Sequence, residues 1–169
     1  MGYTHYWRRL KVLPRAQFDA WRRDVAEMLR GLPAASHGGG YPDAPLILHG
    51  PSDEGEPVND SLLLAFNGSG EHDGTRLDHE DFWLAQEIGP SDPGPSEDGR
   101  YFEFCKTAKK PYDLAVCAAL ILAAHHFGAA VSVESDGEAE DWADALGVCL
   151  STVGYGMIPR GVRCQEATP

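Results

Sequence analysis

The sequence predicts an α+β fold: a two-layer sandwich in which three helices cover a mixed or antiparallel sheet of about five to six strands. Three observations predict it. Residues 3–12 alternate rings with polar and β-branched side chains as a strand does, and an amphipathic helical pattern follows at once. Four short strand-like runs are then crowded between residues 46 and 106, with turn residues between them. A wholly apolar helical segment at 114–124 separates the last of these from a further strand-like run at 131–133. With 169 residues, 43% of them hydrophobic, the chain has enough apolar material for one sizeable core. A single domain is expected over residues 1–158, with 159–169 as a loosely packed tail.

In chain order, Tyr3, His5 and Trp7 share one face of the first strand, and Thr4, Tyr6 and Arg8 share the other. Rings on both faces suit a central or covered strand better than an exposed edge. Pro14 fits a first helical turn, and Phe18, Trp21, Val25, Met28, Leu29 and Leu32 recur at steps of three and four. The opposite helix face carries arginines and acids, with Asp19 and Arg23 spaced for an ion pair. The glycine-rich run 34–42 predicts a flexible loop; no strand precedes it and no Gly-Lys-Ser/Thr follows, so it is not a phosphate loop. Strands are expected at 46–49, 61–66, 81–85 and 101–106, with Asn67-Gly68 as a turn. Residues 69–79 read as mobile and polar, and the proline-rich 89–96 as a surface loop. Gly128 suits the end of the apolar helix, and Ser135-Asp136-Gly137 reads as a turn before a third helix at 139–150. The unit from 101 to 133 has the order of a strand-helix-strand crossover.

The charge is unusual. Twenty-six acidic residues face 14 basic ones, a net charge of −12, so the average surface repels nucleic acid polymers and anionic membranes. No apolar stretch looks long enough to span a bilayer and the first residues lack a secretory pattern, so a cytoplasmic location is expected. Cys105, Cys117, Cys149 and Cys164 are widely spaced, which favours reduced thiols, with Cys117 and Cys149 buried.

Against this background the four lysines stand out, because Lys106, Lys109 and Lys110 fall within five residues and only Lys11 lies elsewhere. They sit where a strand runs into a helix, and helix starts attract anions through unpaired N–H groups. Thr107 would bind an anion oxygen or cap the helix, and Pro111 fits its first turn. The alternative is solvated charge, or pairing with the acidic loops. Cys105 beside Lys106 has the setting of an activated thiol, although its alternation with Phe102 and Phe104 favours packing. His125-His126 cannot easily grip one ion and suits a helix C-terminus. The acidic and histidine residues at 71–73 and 78–81 have no recognised metal spacing, so no metal and no cofactor are expected. Asp136 reads equally as a turn residue or as a partner for the lysines.

Gly2-Tyr3-Thr4-His5-Tyr6-Trp7, then Phe66-Asn67-Gly68, the run from Phe104 to Asp113, and Ser135-Asp136-Gly137 with Asp141-Trp142 resemble, in that order, a family of small proteins carried by bacteriophages and some bacteria. An arginine is usual in that family where this chain has Lys109. The insertion at 89–96 and the tail after 151 are particular to this chain. The resemblance brings no activity with it, but implies a phage or prophage accessory protein.

Two functional expectations follow. The first is binding, with sequestration or hydrolysis open, of a small phosphorylated ligand, a nucleotide or nucleotide-derived signal being the leading candidate. Its expected ligand-binding residues are Lys106, Thr107, Lys109, Lys110, Tyr112, His5, Asn67 and Asp136, with Tyr6, Trp7 and Tyr112 as stacking rings. The second is an acidic interaction module that binds and inhibits a host protein. A homo-oligomer is compatible with either.

Overall fold

A computed structural model describes residues 2–36 and 40–163. The elements run β1 (Thr4–Arg9), α1 (Arg15–Arg30), β2 (Leu48–His49), β3 (Val58–Asn59), β4 (Leu63–Gly68), β5 (Glu71–His72), β6 (Thr75–Arg76), β7 (Phe82–Ala85), β8 (Tyr101–Lys106), α2 (Asp113–Phe127), β9 (Val131–Glu138), α3 (Ala143–Thr152) and β10 (Gly161–Arg163). The fold is α+β, as the alternation of patterns predicts. Its strands are divided among a four-stranded sheet in the order β10-β9-β1-β8, a second sheet built around β4, and the small β5-β6 hairpin.

β1 lies between β8 and β9 and is antiparallel to both, with His5 opposite Cys105 on one side and Ser135 on the other. β8 and β9 are therefore parallel to each other, and α2 carries the chain between them across one face of the sheet. The odd residues Tyr3, His5, Trp7 and Arg9 of the first strand region are buried on the inner face, His5 toward α2 and Trp7 and Arg9 toward β7, with Cys105, Val131 and Val133 beside them. β1 is central, as the rings on both of its faces suggest, while Phe102 and Phe104 on its neighbour β8 are 45% and 53% exposed, and the stacked pair Tyr6–Phe102 stands 6.0 Å apart on an open surface.

α2 is the hub of the core: every residue from Ala115 to Ala123 is buried, between α1, α3 and the sheet. Extended through the turn to Ala130, the segment Asp113–Ala130 has the length and composition of a membrane span, contrary to the sequence expectation, yet it is packed inside the fold. Its apolarity reflects burial on all sides. α1 lays Phe18, Trp21, Val25 and Met28 on it, and Asp24 meets His126 at 2.6 Å near its end. That histidine is thus a hydrogen-bond partner of Asp24, while His125 stacks on Tyr155. On the solvent side of α1, Asp19 pairs with Arg22 instead of Arg23.

Two expected turns are strands. Asn67-Gly68 ends β4, paired with His49 and Leu48. A Cβ at Gly68 would stand 2.7 Å from the Tyr112 ring and 2.4 Å from the Leu77 carbonyl, so the glycine is required for close approach. Ser135-Asp136-Gly137 likewise continues β9, and a Cβ at Gly137 would meet the Tyr3 hydroxyl at 2.1 Å. The expected tail also differs, since residues 161–163 add β10 in parallel to β9 with Val162 buried. Residues 37–39 of the glycine-rich run, Cys164 and the end of the tail lie outside the described residues. Cys105, Cys117 and Cys149 are free and buried.

Candidate functional site

The lysine loop is anchored by the first strand. The N–H groups of Thr107 and Ala108 both donate to the Tyr3 carbonyl at 3.1 Å, and Lys110 N–H closes a turn onto Thr107 at 3.0 Å. Ala108 and Lys109 take positive φ of 51° and 55°. Two successive non-glycine residues in this region carry strain, which persists only where surrounding contacts impose it.

That conformation sends the three lysines in different directions. Lys109 Nζ donates to Asp141 Oδ1 at 2.8 Å and lies 4.5 Å from the Tyr3 ring centre. Lys110 Nζ donates to the Arg76 carbonyl at 2.6 Å and sits over Tyr41. Lys106 is on the open face of β8 with Phe102 and Phe104, and its side chain packs near Gly2. Lys109 and Lys110 line a cavity of about 460 Å³; Lys106 does not.

The cavity is open to solvent on one side and is lined by the lysine loop, the first turns of α2, one face of α3 and the segment after α1. Tyr3, Asp113, Cys117, Asp141 and Asp144 share its wall with the two lysines. It is therefore bipolar. Burial works to raise the Asp141 carboxyl, but hydrogen bonds from Lys109 and from the Glu138 N–H outweigh it and hold the group below the usual carboxylate value. Burial raises the Tyr3 hydroxyl, helped by Cys117, Asp113 and Asp141, so this ring stays neutral.

Beneath the cavity wall lies a buried polar cluster. His5 is fully buried; its Nε2 meets Asp113 Oδ1 at 2.7 Å and its Nδ1 meets Ser135 Oγ at 3.0 Å. Ser135 Oγ also accepts from the Gly137 N–H at 2.9 Å. Cys117 Sγ stands 3.5 Å from His5 Nε2 and 3.8 Å from Asp113 Oδ2, and the Thr107 hydroxyl donates to Asp113. Asp113 and Cys117 reach this point together because residues four apart share a helix face.

The residues singled out in the sequence thus separate into groups. His5 and Thr107 converge on Asp113, and Lys109 and Lys110 flank the cavity. Thr107 is fully buried and its hydroxyl donates to the Asp113 carboxylate. Tyr112 is a core residue whose hydroxyl donates to the Glu80 carbonyl at 2.7 Å, and Trp7 is equally buried. Asn67 lies in a different hollow, donating to the His79 carbonyl and to Asp81. Asp136 is on the open face, accepting from the Thr4 N–H at 3.0 Å and from the Tyr6 hydroxyl. Burial raises the Cys105 thiol, with the nearby acids Glu80 and Asp113 adding to it, so Cys105 is a packing residue and not an activated nucleophile. The members that sequence reasoning missed are Tyr3, Asp113, Cys117, Asp141 and Asp144. The available signal was the i,i+4 spacing of Asp113 and Cys117 at the start of a helix otherwise apolar as far as Ala124.

No family model, curated protein or solved structure matches the chain.

Proposed function

We propose that the protein binds a small phosphorylated ligand in this cavity, a nucleotide or nucleotide-derived signal, as a phage accessory or anti-defence protein that sequesters or hydrolyses it. The observation that carries the reading is the pairing of Lys109 and Lys110 with three carboxylates around one cavity of about 460 Å³. Small-ligand sites commonly enclose about 300–1,000 Å³. The lysines favour the anionic group. Asp113, Asp141 and Asp144 accept from hydroxyl or amino donors, which ribose and bases carry. Tyr3, under Lys109, is the ring available on this wall.

Thermal unfolding against a panel of nucleotides and the corresponding nucleosides tests it. At a ligand concentration of 100 times Kd the stabilisation is about 2.7 kcal/mol, a rise of roughly 5–10 °C for a chain of this size. Nucleotides should give this shift and nucleosides should not, and Lys109→Ala should abolish most of it. No shift with any phosphorylated compound would remove the reading. Analysis of the ligand after incubation separates sequestration from hydrolysis.

A second reading is favoured by the open face of the four-stranded sheet, where Tyr6, Phe102 and Phe104 are presented on a protein of net charge −12. Contiguous exposed rings mark interaction surfaces. An acidic module that binds and inhibits a host protein would use this face. A host protein retained by the wild-type chain should then be lost with Phe104→Asp, while Lys109→Ala keeps it; the reverse pattern rejects this reading.

A further inference from the structure

We propose that His5, Asp113 and Cys117 form a binding site for a divalent transition metal, zinc by preference, at the floor of the cavity. Their donor atoms lie within 4.8 Å of one another. The separations are 2.7 Å from His5 Nε2 to Asp113 Oδ1, 3.5 Å from Nε2 to Cys117 Sγ, and 3.8 Å from Sγ to Asp113 Oδ2. Three such donors around one tetrahedral zinc stand about 3.4–3.6 Å apart, given zinc distances of about 2.0–2.3 Å. The separations from Cys117 Sγ, to Nε2 and to the Asp113 oxygen Oδ2, are already near this geometry, and the 2.7 Å contact between Nε2 and the other carboxylate oxygen, Oδ1, must open for a metal to sit between them.

The surroundings supply what a ligating histidine needs. Metal-bound imidazoles are oriented through the other ring nitrogen, and here Ser135 Oγ stands at Nδ1. Ser135 Oγ already accepts one N–H, from Gly137, and has a second lone pair for Nδ1–H. That tautomer turns the lone pair of Nε2 toward Asp113 and Cys117, where a cation between the three groups is the complement. Thr107 orients the carboxylate in the same way. Charge also balances: a thiolate and a carboxylate offset a divalent ion in a region where unpaired charge is costly. Binding releases the Cys117 proton to solvent through the cavity, because metal ligates the thiolate.

Imidazole with thiolate and one carboxylate selects zinc over magnesium or calcium, which prefer all-oxygen shells. Among the described residues three protein ligands come together here, and Asp113 and Cys117 also line the cavity. The fourth position therefore faces the cavity and takes water or a ligand oxygen, as in open zinc sites. The metal site shares Asp113 with the ligand reading, but its probe is the metal alone, so failure of one is distinguishable from failure of the other.

The test uses the full chain, stripped with chelator and titrated with Co²⁺. A single equivalent should bind with the intense visible bands of tetrahedral cobalt and a thiolate-to-cobalt charge-transfer band, both removed by added Zn²⁺. Cys117→Ser should lose the charge-transfer band. Ser135→Ala, which touches no metal, should keep the band and weaken affinity about 10–100-fold. Circular dichroism establishes that each variant is folded. Should Cys117→Ser not fold, Asp113→Asn replaces it, with affinity reduced about tenfold or more. Absence of a thiolate band in the wild-type chain, its persistence in Cys117→Ser, or unchanged affinity in Asp113→Asn overturns the site.

Discussion

Replacing Arg9 with alanine should destabilise the protein by about 4 kcal/mol, since breaking a buried ion pair by removing one member costs about 3–5 kcal/mol. Arg9 is fully buried on β1. Its guanidinium donates to the carbonyls of Ala85 at 2.5 Å, Gln86 at 3.2 Å and Leu10 at 3.1 Å, and reaches Glu103 at 3.4 Å. Burial dominates both charges of the pair: it lowers the Arg9 pKa and raises that of Glu103, against the attraction between them. The pair itself is therefore a weak source of stability. The large effect comes from what truncation strands, namely a mostly buried carboxylate and the Ala85 carbonyl at the end of β7, the Gln86 carbonyl keeping the Leu13 N–H. Glu103→Gln should be milder, about 1 kcal/mol, because the amide oxygen still accepts from Trp7 and Arg9. Urea unfolding checks the order through the midpoint at unchanged slope. Equal losses for Arg9→Ala and Glu103→Gln would contradict it.

Trp21→Ala should cost a comparable amount, about 4 kcal/mol, through the cavity it leaves between α1 and α2. The indole is fully buried, its ring centre 5.4 Å from Phe18 and 5.5 Å from Phe127, and its N–H donates to the Ala119 carbonyl at 3.0 Å. At about 2–4 °C per kcal/mol, calorimetry should show Tm lower by roughly 8–16 °C. Trp21→Phe keeps most of the contact and loses the hydrogen bond, so about 1–2 kcal/mol is expected. A loss below about 1 kcal/mol for the alanine variant would mean that the two helices close over the space.

Much of the fold was legible because its signals are periodic. The stripe from Phe18 to Met28, the alternation in β1 and β8, and the all-round apolarity of α2 each survive any tertiary context. What misled was glycine. Gly68 and Gly137 read as turn residues because their freedom of φ is the local signal, whereas both are strand residues whose missing side chain admits Tyr112 and Tyr3 from far along the chain. Nothing local marks such a requirement.

The site was legible only in part, for a related reason. Three lysines close in sequence promise convergence, but positive φ at Ala108 and Lys109 and the alternation of β8 turn them apart. His5 stood out as a ring-flanked histidine, and the pairing of β1 with β9 brings Ser135 to it. Asp113 and Cys117 were hidden in an apolar helix, where one acid reads as a favourable first-turn charge and one thiol as a small hydrophobe.

The position of β1 between β8 and β9 bears on how the molecule is made. On the ribosome the first strand emerges with its buried rings and His5 but without a neighbour, because both flanking strands come from residues 101–138. At about 5–20 residues per second it waits roughly 6–25 s for them. Sheet closure then joins the two ends of the sequence, a long-range pairing of the kind that folds slowly. The nascent N-terminal segment is accordingly the part of this chain most in need of a chaperone, and an N-terminal fragment ending before β8 has no route to the native sheet.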